Sequence, residues 1–276
     1  MVVATDTSSR QRGWLRPPAT STLVWLCVRV LVVLVLLALW QLLTATGVVN
    51  SHEFPTAAQT LSDLAGQLGA RDLWTGVAQT LQSWFVGLLL SALIGIPLGF
   101  LFGTSEPVYQ SCRLLVDFFR TIPAVTVIPV ALLLYGNTIR MKLVLVVFAC
   151  VWIFLIQAMY GIRDVDPVVR ETARSYRFRR HDVLARLVLP STLPYLMTAF
   201  RVASVVALLL SIGAELITSA PGLGQDILLA QSGGDLRRLY ALIIVAGLLG
   251  VVINVAFGLI EKMVLRWHPS RRSGNV

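Results

Sequence analysis

Six stretches of this chain are long and apolar enough to need hydrocarbon around them, and this limits the fold before any motif is considered. They lie at about 22–46, 78–103, 108–136, 141–162, 192–218 and 238–262. A bilayer core takes about 20 consecutive, mostly apolar residues per helix. The longer stretches contain Gly and Pro, which membrane helices tolerate because neighbouring helices satisfy the freed backbone groups. The chain therefore reads as an all-α integral membrane protein with six transmembrane helices. Composition agrees, since 13% of residues are charged against roughly 25% in a soluble domain, and mean hydropathy is +0.77. Six spans leave too little of the 276 residues for a separate soluble domain.

Arg10, Arg12 and Arg16 precede the first apolar run, Leu23 to Thr46. That run is far longer than the about 7–15 residues of a signal sequence, so it is expected to be a retained span. The expected domain division is a cytoplasmic tail at 1–21, a six-helix domain at 22–265 and a second cytoplasmic tail at 266–276. Placing the N-terminus inside puts 15 of the 23 Lys and Arg residues on the cytoplasmic side. Five fall outside (Arg71, Arg140, Lys142, Arg237, Arg238) and three within spans (Arg29, Arg120, Arg201). This bias follows the positive-inside rule, with both termini cytoplasmic. It also accounts for the pI of about 10.2 through anionic headgroups, with no nucleic-acid partner.

Catalytic chemistry is excluded by subtraction. The histidines are His52, His181 and His268, all in expected loops or tails, and the cysteines are Cys27, Cys112 and Cys150, scattered in or beside spans. Neither set assembles a buried dyad or a metal site. The two lysines, Lys142 and Lys262, do not end a G-x-x-x-x-G-K-[ST] phosphate loop. The chain is expected to be no enzyme and to hold no cofactor, so any energy must come from another chain.

Small residues recur every four positions in two spans: Gly87, Ser91, Gly95, Gly99 and Gly103, and then Ala246, Gly250, Asn254 and Gly258. Such rows allow close helix approach in lipid and read as bundle packing. Pro97, Pro123 and Pro129 are expected to kink or break their spans. Charges inside spans are more selective, because each is costly there. Arg29 can snorkel to headgroups. Arg120 sits just before Thr121-Ile122-Pro123, Arg201 lies three turns into the fifth span, and Glu215 lies near that span's outer end. Arg201 and Glu215 are separated by about 21 Å along one helix, so each needs a partner from another helix or subunit, or a wet cavity. Arg120, Pro123, Arg201 and Glu215 are the candidate lining of a translocation path, with a buried bridge as the favoured role for Arg201. With few acids near them, Arg120 and Arg201 favour an oxyanion in that path, because a guanidinium fork matches sulfonate, nitrate or carboxylate.

The stretch from Arg163 to Pro194 breaks the apolar pattern. Seven arginines (163, 170, 174, 177, 179, 180, 186) face four acids (Asp164, Asp166, Glu171, Asp182), as in a water-facing loop that meets a partner. Within it run Glu171-Thr172-Ala173, then Arg177, Leu187 and Leu189-Pro190. This spacing resembles the cytoplasmic signature of permease subunits in binding-protein-dependent type I ABC importers: E-A-A, three residues, G, nine residues, I-x-L-P. FFRTIPAVTVIPVALLLYG (118–136), LPYLMTAFRVA (193–203) and AELITSAPGLGQDI (214–227) resemble segments of the nitrate/sulfonate/taurine branch. The resemblance covers roughly residues 80–265.

It implies a type I ABC importer permease fold in the bacterial cytoplasmic (inner) membrane. It also implies alternating access, two separate ATPase subunits that hold ATP and Mg, a second permease copy or paralogue, and an extracellular solute-binding lipoprotein. The cytoplasmic coupling loop would be at about 163–191, with Glu171, Ala173, Arg177, Leu189 and Pro190 carrying the ATPase contact. The implied solute is small and anionic. The alternative from another class is a non-transporting membrane scaffold or assembly protein. Two departures stand out: Thr172 in the triplet and Arg177 where the family has glycine. A non-Gly residue is disfavoured at positive φ, so the turn is either formed differently or made by Tyr176-Arg177 under strain.

Overall fold

The computed structural model describes residues 21–47 and 53–266. The tails expected at 1–21 and 266–276 lie outside these residues except for Ser21 and Arg266. The described residues form helices and connecting turns without a strand. Contacts divide the chain into two units, Met1–Ala58 and Gln59–Val276.

The first unit is built on α1 (Ser21–Ala45), whose Val and Leu side chains are exposed along its length. That surface is stable only against hydrocarbon. At the helix end, the Trp40 indole N–H donates to the Pro55 carbonyl at 3.1 Å and the Trp40 ring meets Phe54 at 5.6 Å. The Gln41 side chain accepts the Ala58 amide at 3.1 Å, so the chain folds back on its own helix end. The short α2 (Ala57–Gln67) follows.

The second unit contains α3 (Arg71–Gly103), α4 (Glu106–Thr121), a 3₁₀ turn (Ala124–Val127), α5 (Ile128–Tyr135) and α6 (Ile139–Arg163). Next come α7 (Pro167–Ser175), α8 (Arg180–Val183), a π turn (Leu184–Val188), α9 (Leu189–Thr218), α10 (Leu223–Ser232) and α11 (Leu236–Val264). Among the described residues five helical segments are long and apolar enough to cross a membrane, and α4 with α5 makes a sixth only as a pair bent by 78°. The span expected at 108–136 is thus broken, for a legible reason. Pro123 pushes Ile122 out of the helical region, to φ −71° and ψ 118°, and ends α4. Pro129 falls in the first turn of α5, where a missing N–H costs nothing. Pro97 lies inside α3 without ending it.

The core is the packing of α3, α6 and α9 through Leu88, Ala92, Val146, Cys150, Phe154, Ala199, Ala203 and Ala207, all buried. The small-residue row of α3 lies in this core, with Gly87, Ser91, Gly95, Gly99 and Gly103 buried. A Cβ on Gly95 would stand 2.6 Å from the Val151 carbonyl oxygen and 2.8 Å from the Phe154 Cβ. The backbones of α3 and α6 therefore touch at a distance only glycine permits. The second row corrects its expectation. A Cβ on Gly258 would meet nothing within 4 Å, and one on Gly250 only Leu208 Cδ2 at 3.6 Å. Among the described residues nothing packs tightly on the two glycines, although Ala246 of the same row packs against the α3–α10 cluster.

Candidate functional site

The charged stretch after α6 is anchored at its root before it reaches α7. Arg163 ion-pairs with Glu106 at 2.5 Å and lies 3.9 Å over the Tyr109 ring, tying α6 to the start of α4. The Tyr195 hydroxyl donates to Asp164 at 2.7 Å, tying the same corner to α9. Asp166 caps α7 by accepting the Val168 amide at 2.8 Å, and Pro167 occupies the first turn. This arrangement follows the usual helix-start chemistry, a side-chain acceptor followed by proline.

The faces of α7 are sharply different. Ala173 is buried, while Val168 and Glu171 are exposed. Arg170, Ala173 and Arg174, at i, i+3 and i+4, line a cavity of about 390 Å³ against the ends of α3 and α6. Val169, Thr172 and Ala173 line a second cavity, about 280 Å³, shared with Asp182, Arg186 and Leu187. Glu171 lines neither cavity and points into the surroundings. Leu189 is exposed and Pro190 half-buried at the start of α9.

Arg177 resolves the two alternatives for the turn. Its φ is +53°, in the left-handed region. The Phe178 amide donates to the Ala173 carbonyl at 3.0 Å and the Arg177 amide to the Arg174 carbonyl at 2.9 Å. These two bonds close α7 with a Schellman motif, whose left-handed position is ordinarily glycine. Arginine thus takes the glycine's conformation and bears its strain.

The four residues proposed from the spans do not come together. Arg120, in the last turn of α4, and Pro123 line a cavity of about 520 Å³ with Trp152 and Ile156 of α6 and Leu209 and Leu210 of α9. Phe119 stacks on Trp152 at 5.5 Å on this wall. Arg201 and Glu215 are not among the lining residues. The expectation that few acids accompany the arginines is corrected, because a helical neighbour supplies one in each case. Arg120 pairs with Asp117 at 3.1 Å. Arg201 bonds Asn254 at 3.1 Å and faces Glu261 at 3.7 Å, both on α11.

Glu215 is 0% exposed and pairs with Lys142, 2% exposed, at 2.7 Å. It also accepts the Thr80 hydroxyl at 2.8 Å and the Gly224 amide at 3.0 Å. Lys142 donates in addition to the Pro221 carbonyl at 2.8 Å, and Thr80 accepts the Leu223 amide at 2.9 Å. Glu215 is therefore the centre of a buried clamp joining α3, α6 and the α9–α10 corner, and its partner lies within the same chain. Lys142, expected as an outside anchor, is the residue that sequence reasoning misplaced. Its position inside the apolar window 141–162 was the available signal, since a lysine there needs a buried partner.

The family of binding-protein-dependent transport system inner membrane components matches residues 95–267, a segment that holds the α7 signature, Arg120, Lys142 and Glu215. The chain belongs to this family. A chain named as an aliphatic sulfonates transport permease in Bacillus subtilis (strain 168) is 27% identical over 236 residues, covering 86% of each chain. The nitrate import permease protein NrtB of Leptolyngbya laminosa is 26% identical, covering 84% of this chain and 85% of its own. The taurine transport system permease protein TauC of Escherichia coli (strain K12) is 26% identical over 242 residues. In three dimensions the chain resembles the inward-facing MetNI methionine ABC transporter, with a TM-score of 0.62 at 21% identity over 71% of this chain and 97% of that one. At that identity the likeness establishes the fold. The protein is a multi-pass membrane permease of an ABC importer, a kind of protein that works with an ATPase and a solute-binding protein.

Proposed function

We propose that this permease carries a small anionic solute of the sulfonate, nitrate or taurine type inward by alternating access. In this reading two ATPase subunits, which hold the ATP and Mg, grip the exposed face of α7. A second permease copy or paralogue completes the path, and an extracellular lipoprotein delivers the solute. Both termini lie in the cytoplasm, with tails at 1–21 and 266–276 flanking the spans. Glu171, Arg177, Leu189 and Pro190 form the coupling surface, the buried Ala173 seats α7 against the bundle behind it, and Arg120 and Pro123 line the path at the broken span.

The observation that carries the coupling role is the division of α7 into a face held by the bundle and an exposed face, centred on Glu171, that lines no cavity among the described residues. The solutes named for the relatives support the anion, and Arg120, although paired with Asp117, is the basic side chain that lines the cavity. Glu171→Lys tests the coupling role. The variant is expected to insert and fold normally while uptake falls to background and the ATPase no longer co-purifies. Undiminished uptake would refute it.

A further inference from the structure

The cavity of about 390 Å³ behind α7 has a composition that the coupling role does not explain. Its walls are Phe100 at the end of α3, Ile162 at the end of α6, and Leu184 and Val188 of the π turn. Its charged groups are Arg170 and Arg174, and no carboxylate lines it. Arg170 is held in place by one bond, from Nη2 to the Ile162 carbonyl at 2.9 Å. Among the described residues Arg174 makes no ion pair. The neighbouring 280 Å³ cavity differs, because its Arg186 lies 3.7 Å from Asp182, which also lines it. One cavity is neutralised and the other is left cationic.

A cationic rim over apolar walls, where membrane-spanning helices end, suits a ligand with an anionic head and a hydrocarbon tail. A guanidinium fork matches phosphate oxygens, and basic pockets between helices at the cytoplasmic surface suit lipid headgroups. A free inorganic anion would satisfy the arginines and leave Phe100, Ile162 and Val188 wet. We infer that this cavity binds the headgroup and upper acyl chain of an anionic phospholipid from the cytoplasmic leaflet, seated beneath the coupling helix. The inference uses the cytoplasmic placement of α7 and is independent of the transported solute.

The test is native mass spectrometry on the delipidated permease–ATPase complex, titrated with phosphatidylglycerol or phosphatidylcholine of identical acyl chains. At about 1 kcal/mol per arginine near the surface, wild type should retain phosphatidylglycerol about five-fold better per arginine engaged, and Arg174→Gln should lose about five-fold. Leu184→Trp, which fills the apolar part and keeps both arginines, should lose a similar amount. Arg113→Gln, on a residue outside the cavity, should retain the lipid. Equal retention of the two lipids, or undiminished retention by Arg174→Gln, would overturn the inference. Loss in Arg174→Gln with full retention in Leu184→Trp would assign the lipid to the open surface and overturn the pocket. Displacement of phosphatidylglycerol by millimolar inorganic phosphate would assign the site to a free anion and overturn the lipid source.

Discussion

Replacing Glu215 with Ala should be among the most damaging single changes in the bundle. It strips Lys142, 2% exposed, of its counter-ion and leaves the ammonium with the Pro221 carbonyl alone. It also removes the acceptor of the Gly224 amide and of the Thr80 hydroxyl. Removing one partner of a buried pair costs about 3–5 kcal/mol, because the other charge stays buried without compensation. An orphaned buried donor alone costs about 1–3 kcal/mol and is included in that range. A loss of about 4 kcal/mol is roughly a thousandfold in the folding equilibrium. On the soluble-domain scale of about 2–4 °C per kcal/mol it lowers the melting temperature by about 10 °C.

The informative comparison is Lys142→Met/Glu215→Gln, which removes both charges while the glutamine oxygen still accepts from Thr80 and Gly224. Exchanging a buried pair for neutral groups of similar volume is close to free, so the double variant should melt well above Glu215→Ala. Fluorescence-detected size exclusion after heating reads both in detergent. A Glu215→Ala variant melting within about 1 °C of wild type, or a double variant no better than the single, would refute the clamp.

Arg177→Gly should leave uptake intact and raise stability by up to about 1 kcal/mol, the left-handed strain less the added unfolded-state freedom of glycine; a lower melting temperature would refute the strain. Gly95→Leu should destabilise the bundle by about 1–3 kcal/mol or more by forcing α3 off α6, while Gly258→Leu, with nothing within 4 Å of its added Cβ, should express and melt as wild type. Arg120→Gln should raise the KM for the anionic solute about ten- to a hundredfold, from a lost charged hydrogen bond of about 1.5–3 kcal/mol. Arg201→Gln, outside that cavity and bonded to α11, should leave KM unchanged, and the reverse pattern in uptake assays would move the path to the side of α9 that faces α11.

The spans were legible because hydrocarbon demands long apolar runs, and the break at Pro123 because proline disfavours a helical residue before it, a bias that Pro97 inside α3 overrides. The E-x-A register was legible because its spacing survives two substitutions. What escaped the sequence were pairings between distant segments. Lys142 and Glu215 are 73 positions apart, and only packing of α6 against α9 makes them partners. Arg201 looked unpartnered because Asn254 and Glu261 sit in the last span, and that contact depends on how α11 is rotated. The row in α11 had the same periodicity as the row in α3, and periodicity alone does not say which face meets a neighbour.

The glycine seam between α3 and α6 leaves no slack. With carbonyl oxygens and Cβ atoms standing where side chains would normally cushion the contact, neither helix can creep along the other by a fraction of a turn. Repeats four residues apart, about 6 Å, restore a fit only after a whole step. The two helices therefore pack as one plank, to which α7 is held by the Arg170 bond to the Ile162 carbonyl, while the Arg163–Glu106 and Asp164–Tyr195 pairs fasten the same corner to α4 and α9. In the alternating-access cycle proposed above, the places left to bend are the joints, the cut at Ile122–Pro123 and the widened π turn ahead of Pro190.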